Sequence, residues 1–186
     1  WDALLYRDPK TNEYLPNLAT SYKWVDSKTL EFDLRQGVKF HNGEKFDADD
    51  VVFTMNYMGN PDNGAKPARN VNWWENAEKL GEYKVRLNLK KEFPAALEFL
   101  SGPLVIYPNE YYAKVGPEGM ALKPVGTGPY AVTSVEPGKR YKFKKYDGHH
   151  DGIGQLLHAA ADDLDWAHLG ASGFSAARSV RTTGCA

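Results

Sequence analysis

Residues 18–57 read LATSYKWVDSKTLEFDLRQGVKFHNGEKFDADDVVFTMNY. Within this stretch, residues 30–35 alternate strictly between apolar and charged side chains, which is typical of a strand with one buried face. A turn of Asp, Ser and Lys at residues 26–28 separates this run from the aromatic run before it. The pattern predicts a β-hairpin over residues 20–35, with Leu30, Phe32 and Leu34 facing the core.

The second half of the stretch predicts a helix with a defined beginning and end. An Asn-Gly turn at residues 42–43 precedes it. Asp47 stands at the N-cap position, and Asp50 follows three residues later, where the capping box places a second acceptor. Apolar residues within 51–58 can form a buried stripe, and the Gly-Asn-Pro sequence at residues 59–61 ends the helix.

The rest of the chain alternates between strand and helix patterns. A long polar loop is predicted over residues 60–72, and a clean apolar–polar alternation predicts a strand over residues 83–89. Further predicted elements are a short helix at 95–100, a buried strand at 104–107, a helical segment beginning at 108–110, and strands at 131–136 and 141–146. This order predicts an α+β (mixed α/β) fold.

Composition excludes several classes of protein. The formal net charge of −1 and the pI near 6.6 argue against a nucleic-acid-binding protein and against a polybasic membrane-surface protein. A single cysteine, Cys185, excludes a disulfide framework. No apolar run approaches the ~20 residues of a transmembrane helix. A chain of 186 residues has room for one or two domains with a real core.

Three segments in order carry a family resemblance. They are residues 18–40, which include Leu-Arg-Gln-Gly-Val-Lys-Phe; residues 41–53, the turn and following helix; and residues 114–130, which end in Gly-Thr-Gly-Pro-Tyr. Together they resemble the bacterial extracellular solute-binding proteins of family 5, the peptide-, nickel- and oligopeptide-binding components of ABC importers. The resemblance covers roughly residues 1–147 and suggests a fragment of the N-terminal lobe.

The resemblance implies a type II periplasmic-binding-protein-like fold, with part of the first lobe and a small inserted subdomain. Residues 1–20 and 108–147 would belong to the main sheet of lobe I, and residues 21–107 to the subdomain. Residues 148–186 would form a tail foreign to the family, because all sixteen lysines precede residue 148. A frameshift or disorder would explain such a tail, and a genuinely divergent end is the alternative.

The same resemblance implies capture of a solute, a short peptide first, with an oligosaccharide or a chelated metal as alternatives. The partners would be ABC permease subunits, the location periplasmic or extracellular at the membrane, and the chain a monomer without cofactor or catalysis. A subunit lacking its second lobe should bind weakly, since much of the ligand stays in water. The alternative is a stand-alone structural or protein-interaction module that displays the loop at residues 60–76. An enzyme of carbohydrate chemistry has only the aromatic content in its favour.

Five residues are the candidates for ligand contact. The resemblance places Trp73 and Trp74 near the position where family members present an aromatic side chain to the ligand. The other possibility is that both indoles complete the core of the subdomain. Gly102, Pro103 and Leu104 correspond to a segment that can line the cleft.

Other chemistries find no support in the sequence. Gly126-Thr127-Gly128 is followed by Pro129, whereas a phosphate-binding P-loop needs Lys and Ser or Thr followed by a helix. His149 and His150 are adjacent, and adjacent residues seldom converge on one ion without a turn, so no metal site is predicted. The Gly-x-Ser-x-Gly pattern of a nucleophile elbow is absent, and no catalytic residue is predicted.

Overall fold

The computed structural model describes residues 1–64 and 68–150 and combines helices with antiparallel sheets, which confirms the α+β class. The main elements are, in chain order, β1 (Leu5–Arg7), β2 (Tyr14–Pro16), β3 (Ala19–Asp26), β4 (Thr29–Leu34), α1 (Ala48–Gly59), β5 (Trp74–Gly81), β6 (Lys84–Leu89), α2 (Ala96–Leu100), α3 (Asn109–Leu122), β7 (Tyr130–Glu136) and β8 (Arg140–Lys145). Two single-turn 3-10 helices, Pro61–Asn63 and Ala68–Asn70, lie between α1 and β5. The helix considered for residues 156–169 and the tail at 171–186 lie outside the described residues.

A four-stranded antiparallel sheet in the order β3-β4-β6-β5 forms the centre of the described chain. The predicted hairpin is confirmed as β3 and β4, and Leu30, Phe32 and Leu34 are all buried. Phe32 pairs with Val85 across the β4–β6 ladder, so the alternation of β4 matches that of β6. On the other face, Arg86 donates to Glu31 at 2.6 Å.

Helix α1 packs against this sheet and begins as the sequence predicts. The Asp47 side chain accepts a hydrogen bond from the Asp49 N–H at 2.9 Å, and the Asp50 carboxylate accepts one from the Asp47 N–H at 2.9 Å. The capping box is therefore complete, with acidic residues at the positive end of the helix dipole. Val51 and Met55 are buried against the sheet.

Residues 104–107 do not form the predicted strand. Within residues 1–64 and 68–150, their ladder pairing is limited to one antiparallel bridge between Val105 and Ala3. Their other backbone groups bond elsewhere: the Tyr107 N–H donates to Thr54 Oγ1 at 3.0 Å, and the Ile106 N–H donates to the Asp2 carbonyl at 3.1 Å. Side-chain and loop partners therefore replace a strand neighbour.

Strand β5 was not predicted from the sequence, and it begins inside the loop at residues 60–76 on which the interaction-module alternative depends. Its pairing with β6 contains register shifts between Trp74 and Asn76 and between Lys79 and Gly81. These bulges place the buried Trp74 and Ala77 three residues apart, which conceals the period of two. The bounds of β5 therefore cannot be read from an apolar–polar alternation in the sequence.

Two small hairpins accompany the central sheet, one of β1 with β2 and one of β7 with β8. Every residue of β8 is exposed, including Tyr141 and Phe143. The assignment of residues 1–20 and 108–147 to a main sheet, and of 21–107 to a subdomain, stays a prediction. Within the described part of the chain, no helix combines the length and apolar character needed to cross a bilayer.

Candidate functional site

An open cavity of about 450 Å³ lies beside α1 and α3. We call it the aromatic cavity, because six of its lining side chains are Trp1, Phe53, Tyr57, Tyr107, Tyr112 and Tyr141. Phe53 and Tyr57 stand one turn apart on α1, Tyr112 lies in the first turn of α3, and Tyr107 lies just before that helix. Its volume falls in the range of small-molecule sites, roughly 300–1,000 Å³.

Tyr112 is at the centre of the ring contacts. Its ring centroid lies 5.1 Å from that of Tyr57, 5.5 Å from that of Phe53 and 5.6 Å from that of Tyr107. These are tilted or edge-to-face arrangements, which aromatic pairs prefer. Tyr107 is held by Thr54, whose Oγ1 contacts both its N–H and its carbonyl oxygen. The wall is therefore a fixed aromatic surface rather than a set of loose side chains.

The electrostatics of the cavity favour neutral ligand groups. Burial raises the pKa of the Tyr107 hydroxyl. Burial and a hydrogen bond with Tyr57 raise the pKa of Tyr112 as well. Both phenols therefore stay protonated at neutral pH, and none of the lining residues is Asp, Glu, Lys or Arg. Such a surface can pack against an apolar side chain and offer hydroxyl groups to polar ligand atoms.

Trp73 and Trp74 lie elsewhere, inside the core of the central sheet. Trp74 is fully buried, and its indole N–H donates to the Met55 carbonyl at 3.1 Å. Trp73 stacks on Phe93 with the ring centroids 4.8 Å apart, and its indole N–H donates to the Asn70 carbonyl at 2.9 Å. Their surfaces are used for packing, which favours the structural alternative. Direct contact of these indoles with a ligand stays a prediction.

The segment at residues 102–104 is partly exposed and partly buried. Gly102 and Pro103 are exposed, whereas Leu104 is buried in the same hydrophobic cluster as Trp73 and Trp74. Of these three residues, Leu104 belongs to the same buried cluster as the two indoles, and within the described chain this cluster is part of the core and does not line a cleft. Contact of this segment with ligand also stays a prediction.

One sequence signal for the aromatic cavity lies on α1, outside the stripe of residues that is buried against the sheet. The stripe of α1 that contacts the sheet leaves Phe53 and Tyr57 together on another face, four residues apart. Two aromatic rings four residues apart on a face that does not contact the sheet favour packing against another element. Their partner, Tyr112, comes from a helix more than fifty residues later, so the contact itself depends on the tertiary fold.

The loop at residues 124–129 connects α3 to β7, and its Pro124 lines one side of the cavity. Trp1 Nε1 donates to the Val125 carbonyl at 3.0 Å. A Cβ atom at Gly126 would lie 2.5 Å from the Trp1 ring, and one at Gly128 would lie 2.7 Å from the Trp1 backbone nitrogen. Both glycines therefore allow the loop to pass close against Trp1.

A second cluster of polar side chains joins the two ends of the described chain. One carboxylate oxygen of Asp2 and one ring nitrogen each of His149 and His150 all lie within 4.8 Å of one another. Burial acts to raise the pKa of Asp2, but the two adjacent imidazoles outweigh it and hold that pKa well below its ordinary value. Asp2 is therefore ionised at neutral pH.

Comparison with known proteins gives the family. The sequence model described as bacterial extracellular solute-binding proteins, family 5 Middle, matches residues 13–157. The glutathione-binding protein GsiB of Salmonella paratyphi A is 30% identical over an alignment of 145 residues, and the alignment covers 76% of this chain and 27% of GsiB. Di/tripeptide-binding protein 1 of Pseudomonas aeruginosa is 32% identical over an alignment of 156 residues, and the alignment covers 70% of this chain and 28% of that protein.

The structural comparison agrees with the sequence comparison. NikZ from Campylobacter jejuni, solved in complex with Ni(L-His), matches with a TM-score of 0.74 and 28% identity over 82% of this chain and 31% of NikZ. The expected periplasmic-binding-protein fold is thereby confirmed. The chain spans less than a third of the length of these proteins. Because the family model covers more than half of the chain, the chain belongs to the bacterial extracellular solute-binding proteins, family 5.

Proposed function

We propose that this chain is part of a solute-capture protein of an ABC importer, that its solute is a short peptide, and that it catalyses no reaction. The observation that carries this proposal is the match to the family 5 solute-binding proteins over residues 13–157. Peptide is the preferred solute because a relative that is 32% identical is named a di/tripeptide-binding protein.

We place the contact with peptide side chains at the aromatic cavity. Rigid rings give a large contact area with little loss of rotamer freedom, and the phenols of Tyr107 and Tyr112 can donate hydrogen bonds. Peptide termini carry charge, and none of the lining side chains is charged, so the termini would be bound by groups outside this set of side chains. A peptide with a central apolar or aromatic side chain is the ligand that fits best.

The remaining features of the proposal follow from the family. The permease subunits of an ABC importer are the partners, and the location is periplasmic or extracellular at the membrane. The alternative role as an interaction module relied on an exposed aromatic loop at residues 60–76. Trp73 and Trp74 are buried, so these two indoles offer a protein partner little surface.

Isothermal titration calorimetry on the purified chain tests the proposal. The titrants are Ala-Phe-Ala, Ala-Ala-Ala, maltotriose and a nickel–histidine chelate. We expect Ala-Phe-Ala to bind with Kd of about 1 mM or tighter, the threshold at which binding contributes about 4 kcal/mol. Trialanine should bind at least several-fold more weakly, because it cannot fill an aromatic surface, and maltotriose should give no heat.

Two tyrosine variants locate the contact. Tyr112→Ala should remove the preference for Ala-Phe-Ala, since Tyr112 contacts three of the other lining rings. Tyr22→Ala is the matched control, because Tyr22 lies on β3 and outside the cavity lining. Binding of maltotriose in place of peptide, or the absence of peptide binding at millimolar concentration, would overturn the proposed solute. An undiminished preference in folded Tyr112→Ala would overturn the proposed position.

A further inference from the structure

We propose that Asp2, His149 and His150 form a binding site for one divalent transition-metal ion. His150 Nε2 lies 3.1 Å from Asp2 Oδ2, and His149 Nε2 lies 3.5 Å from the same oxygen. The side chains of Asp2, His149 and His150 are only 12%, 9% and 7% exposed. A carboxylate and two imidazoles therefore converge in a space that is almost closed to solvent.

One histidine nitrogen of this cluster lacks the partner that a buried polar atom normally has. Among the described residues, no hydrogen-bond partner satisfies His149 Nε2, the nitrogen that faces Asp2. His150 also directs Nε2 at Asp2 Oδ2, at 3.1 Å, within hydrogen-bond distance. Buried side-chain nitrogens are usually hydrogen-bonded, so an unsatisfied one directed at a carboxylate is unusual. The lone pair of a neutral imidazole is a common metal ligand, and an ion between the rings and Asp2 would be bound by the Nε2 atom of each histidine.

A tight turn explains how two adjacent histidines come together. The His149 N–H donates to the Tyr146 carbonyl at 3.2 Å. A Cβ atom at Gly148 would lie 2.8 Å from the Tyr146 ring, so the turn requires glycine at this point unless that ring moves. Tyr146 is held in place, because its hydroxyl donates to the Phe40 carbonyl at 3.1 Å. Beyond this turn the two imidazoles stack with their centroids 4.4 Å apart.

Asp2, the oxygen ligand of the proposed site, is held in place by a backbone hydrogen bond. The Asp2 carbonyl accepts a hydrogen bond from the Ile106 N–H at 3.1 Å. His41 is a neighbour but has both nitrogens engaged: Nε2 bonds to the Gly128 carbonyl at 2.7 Å, and Nδ1 accepts from the Gly126 N–H at 3.3 Å. The site therefore has three ligands from the described residues, one oxygen and two nitrogens.

This ligand set points to a class of ion. Imidazole suits zinc, copper, iron and nickel, whereas calcium and magnesium prefer sets made only of oxygen. Three protein ligands leave a further coordination position for water. The ion would link residue 2 to residues 149 and 150, and so connect the two ends of the described chain. This inference concerns an ion held by the chain itself and does not depend on the proposed peptide capture.

Metal titration of the whole chain is the direct test, with Zn²⁺ and Ni²⁺ as the probes and a purification tag free of histidine. Calorimetry should give one ion per chain, and the melting temperature should rise with added metal and fall again with a chelator. A chain that takes up neither ion stoichiometrically would overturn the inference.

Two variants and one control assign the ligands. Asp2→Asn and His150→Gln should each weaken binding at least about tenfold, since even indirect support of a metal ligand contributes about 10–100-fold. Asp62→Asn is the control and should bind as the unchanged chain does, because Asp62 is exposed and is not part of this cluster. Affinity that survives both ligand substitutions would overturn the inference.

A spectroscopic measurement on the unchanged chain covers the case in which the variants fail to fold. Cu²⁺ bound at the site should show electron paramagnetic resonance coupling to two imidazole nitrogens. Coupling to no imidazole nitrogen, or to more than two, would contradict the assignment of His149 and His150 as the nitrogen ligands.

Discussion

Trp74 shows how a single side chain connects two elements. It is the largest of the fully buried side chains among the described residues, and its N–H bonds to the Met55 carbonyl of α1. A Cβ atom at Gly59 would lie 2.6 Å from Trp74 Nε1, so the end of α1 passes directly over the indole. The residue therefore holds α1 against β5.

Truncation of this indole should destabilise the fold strongly. We expect Trp74→Ala to lower the free energy of unfolding by about 3–5 kcal/mol, because a large cavity remains and the hydrogen bond from the indole to the Met55 carbonyl is lost. Urea denaturation followed by circular dichroism measures the change. Val25→Ala on the exposed face of β3 is the control and should change stability by less than about 0.5 kcal/mol. A loss below about 1 kcal/mol in Trp74→Ala would contradict the core role.

Gly116 carries a backbone conformation that other residues avoid. Its φ of 67° interrupts α3 just before Pro117. Gly116→Ala should destabilise the chain by about 1 kcal/mol or more in the same urea assay. Gly102→Ala is the matched control, because Gly102 has no such φ and nothing lies within 4 Å of an added Cβ. Equal effects of the two substitutions would show that α3 does not need this break.

At the scale of elements, Asp50 joins the beginnings of two helices. Its two carboxylate oxygens accept hydrogen bonds from the Asp47 N–H of α1 at 2.9 Å and from the Asn109 N–H of α3 at 2.8 Å. Burial raises the pKa of this carboxyl to about 7, although both backbone hydrogen bonds act to lower it. The folded chain therefore keeps this proton over a range of pH in which the unfolded chain, with a pKa near 3.8, has lost it.

The pH dependence of stability follows from that difference. Protonated Asp50 stabilises the folded state fully below pH of about 4, and this contribution is lost as the pH rises through about 7. Relative to Asp50→Asn, the unchanged chain should lose up to about 4 kcal/mol of its stability advantage across the whole window, and about 2–3 kcal/mol of this loss should fall between pH 5 and pH 8. Urea denaturation at pH 5 and pH 8 measures it.

A second carboxylate on the same helix provides the control. Asp49→Asn removes a half-exposed side chain paired with Lys79, so it should change stability little at either pH, because exposed ion pairs contribute little. A difference between the unchanged chain and Asp50→Asn that is constant from pH 5 to pH 8 would contradict the raised pKa.

The elements that the sequence predicted well are those with local signals. The hairpin of β3 and β4, the capped start of α1, and β6 depend on alternation or on caps within a few residues. The extent of β5 was missed because bulges break its period. The strand predicted at residues 104–107 was wrong because its backbone groups bond to the Thr54 side chain and to the Asp2 carbonyl instead of a neighbouring strand. The aromatic cavity and the convergence of Asp2 with His149 could not be predicted, since both depend on residues far apart in sequence.

On the scale of the whole molecule, the aromatic residues fall into two groups, one in the core and one around the cavity. Trp73 and Trp74 stabilise the central sheet, whereas Trp1 and the tyrosines of α1 and α3 line an open cavity. The family relationship leads us to expect a ligand, and the arrangement of the rings leads us to expect it at the cavity. The indole N–H groups of Trp1, Trp73 and Trp74 can report on the two regions separately.

Nuclear magnetic resonance of the ¹⁵N-labelled chain titrated with Ala-Phe-Ala tests this account most directly. We predict that the indole N–H resonance of Trp1 and the backbone amides of Phe53, Tyr57 and Tyr112 shift with increasing peptide. The indole resonances of Trp73 and Trp74 should stay in place, because these side chains are buried in the core. Shifts confined to Trp73 and Trp74, or no shifts at millimolar peptide, would contradict peptide capture at the aromatic cavity.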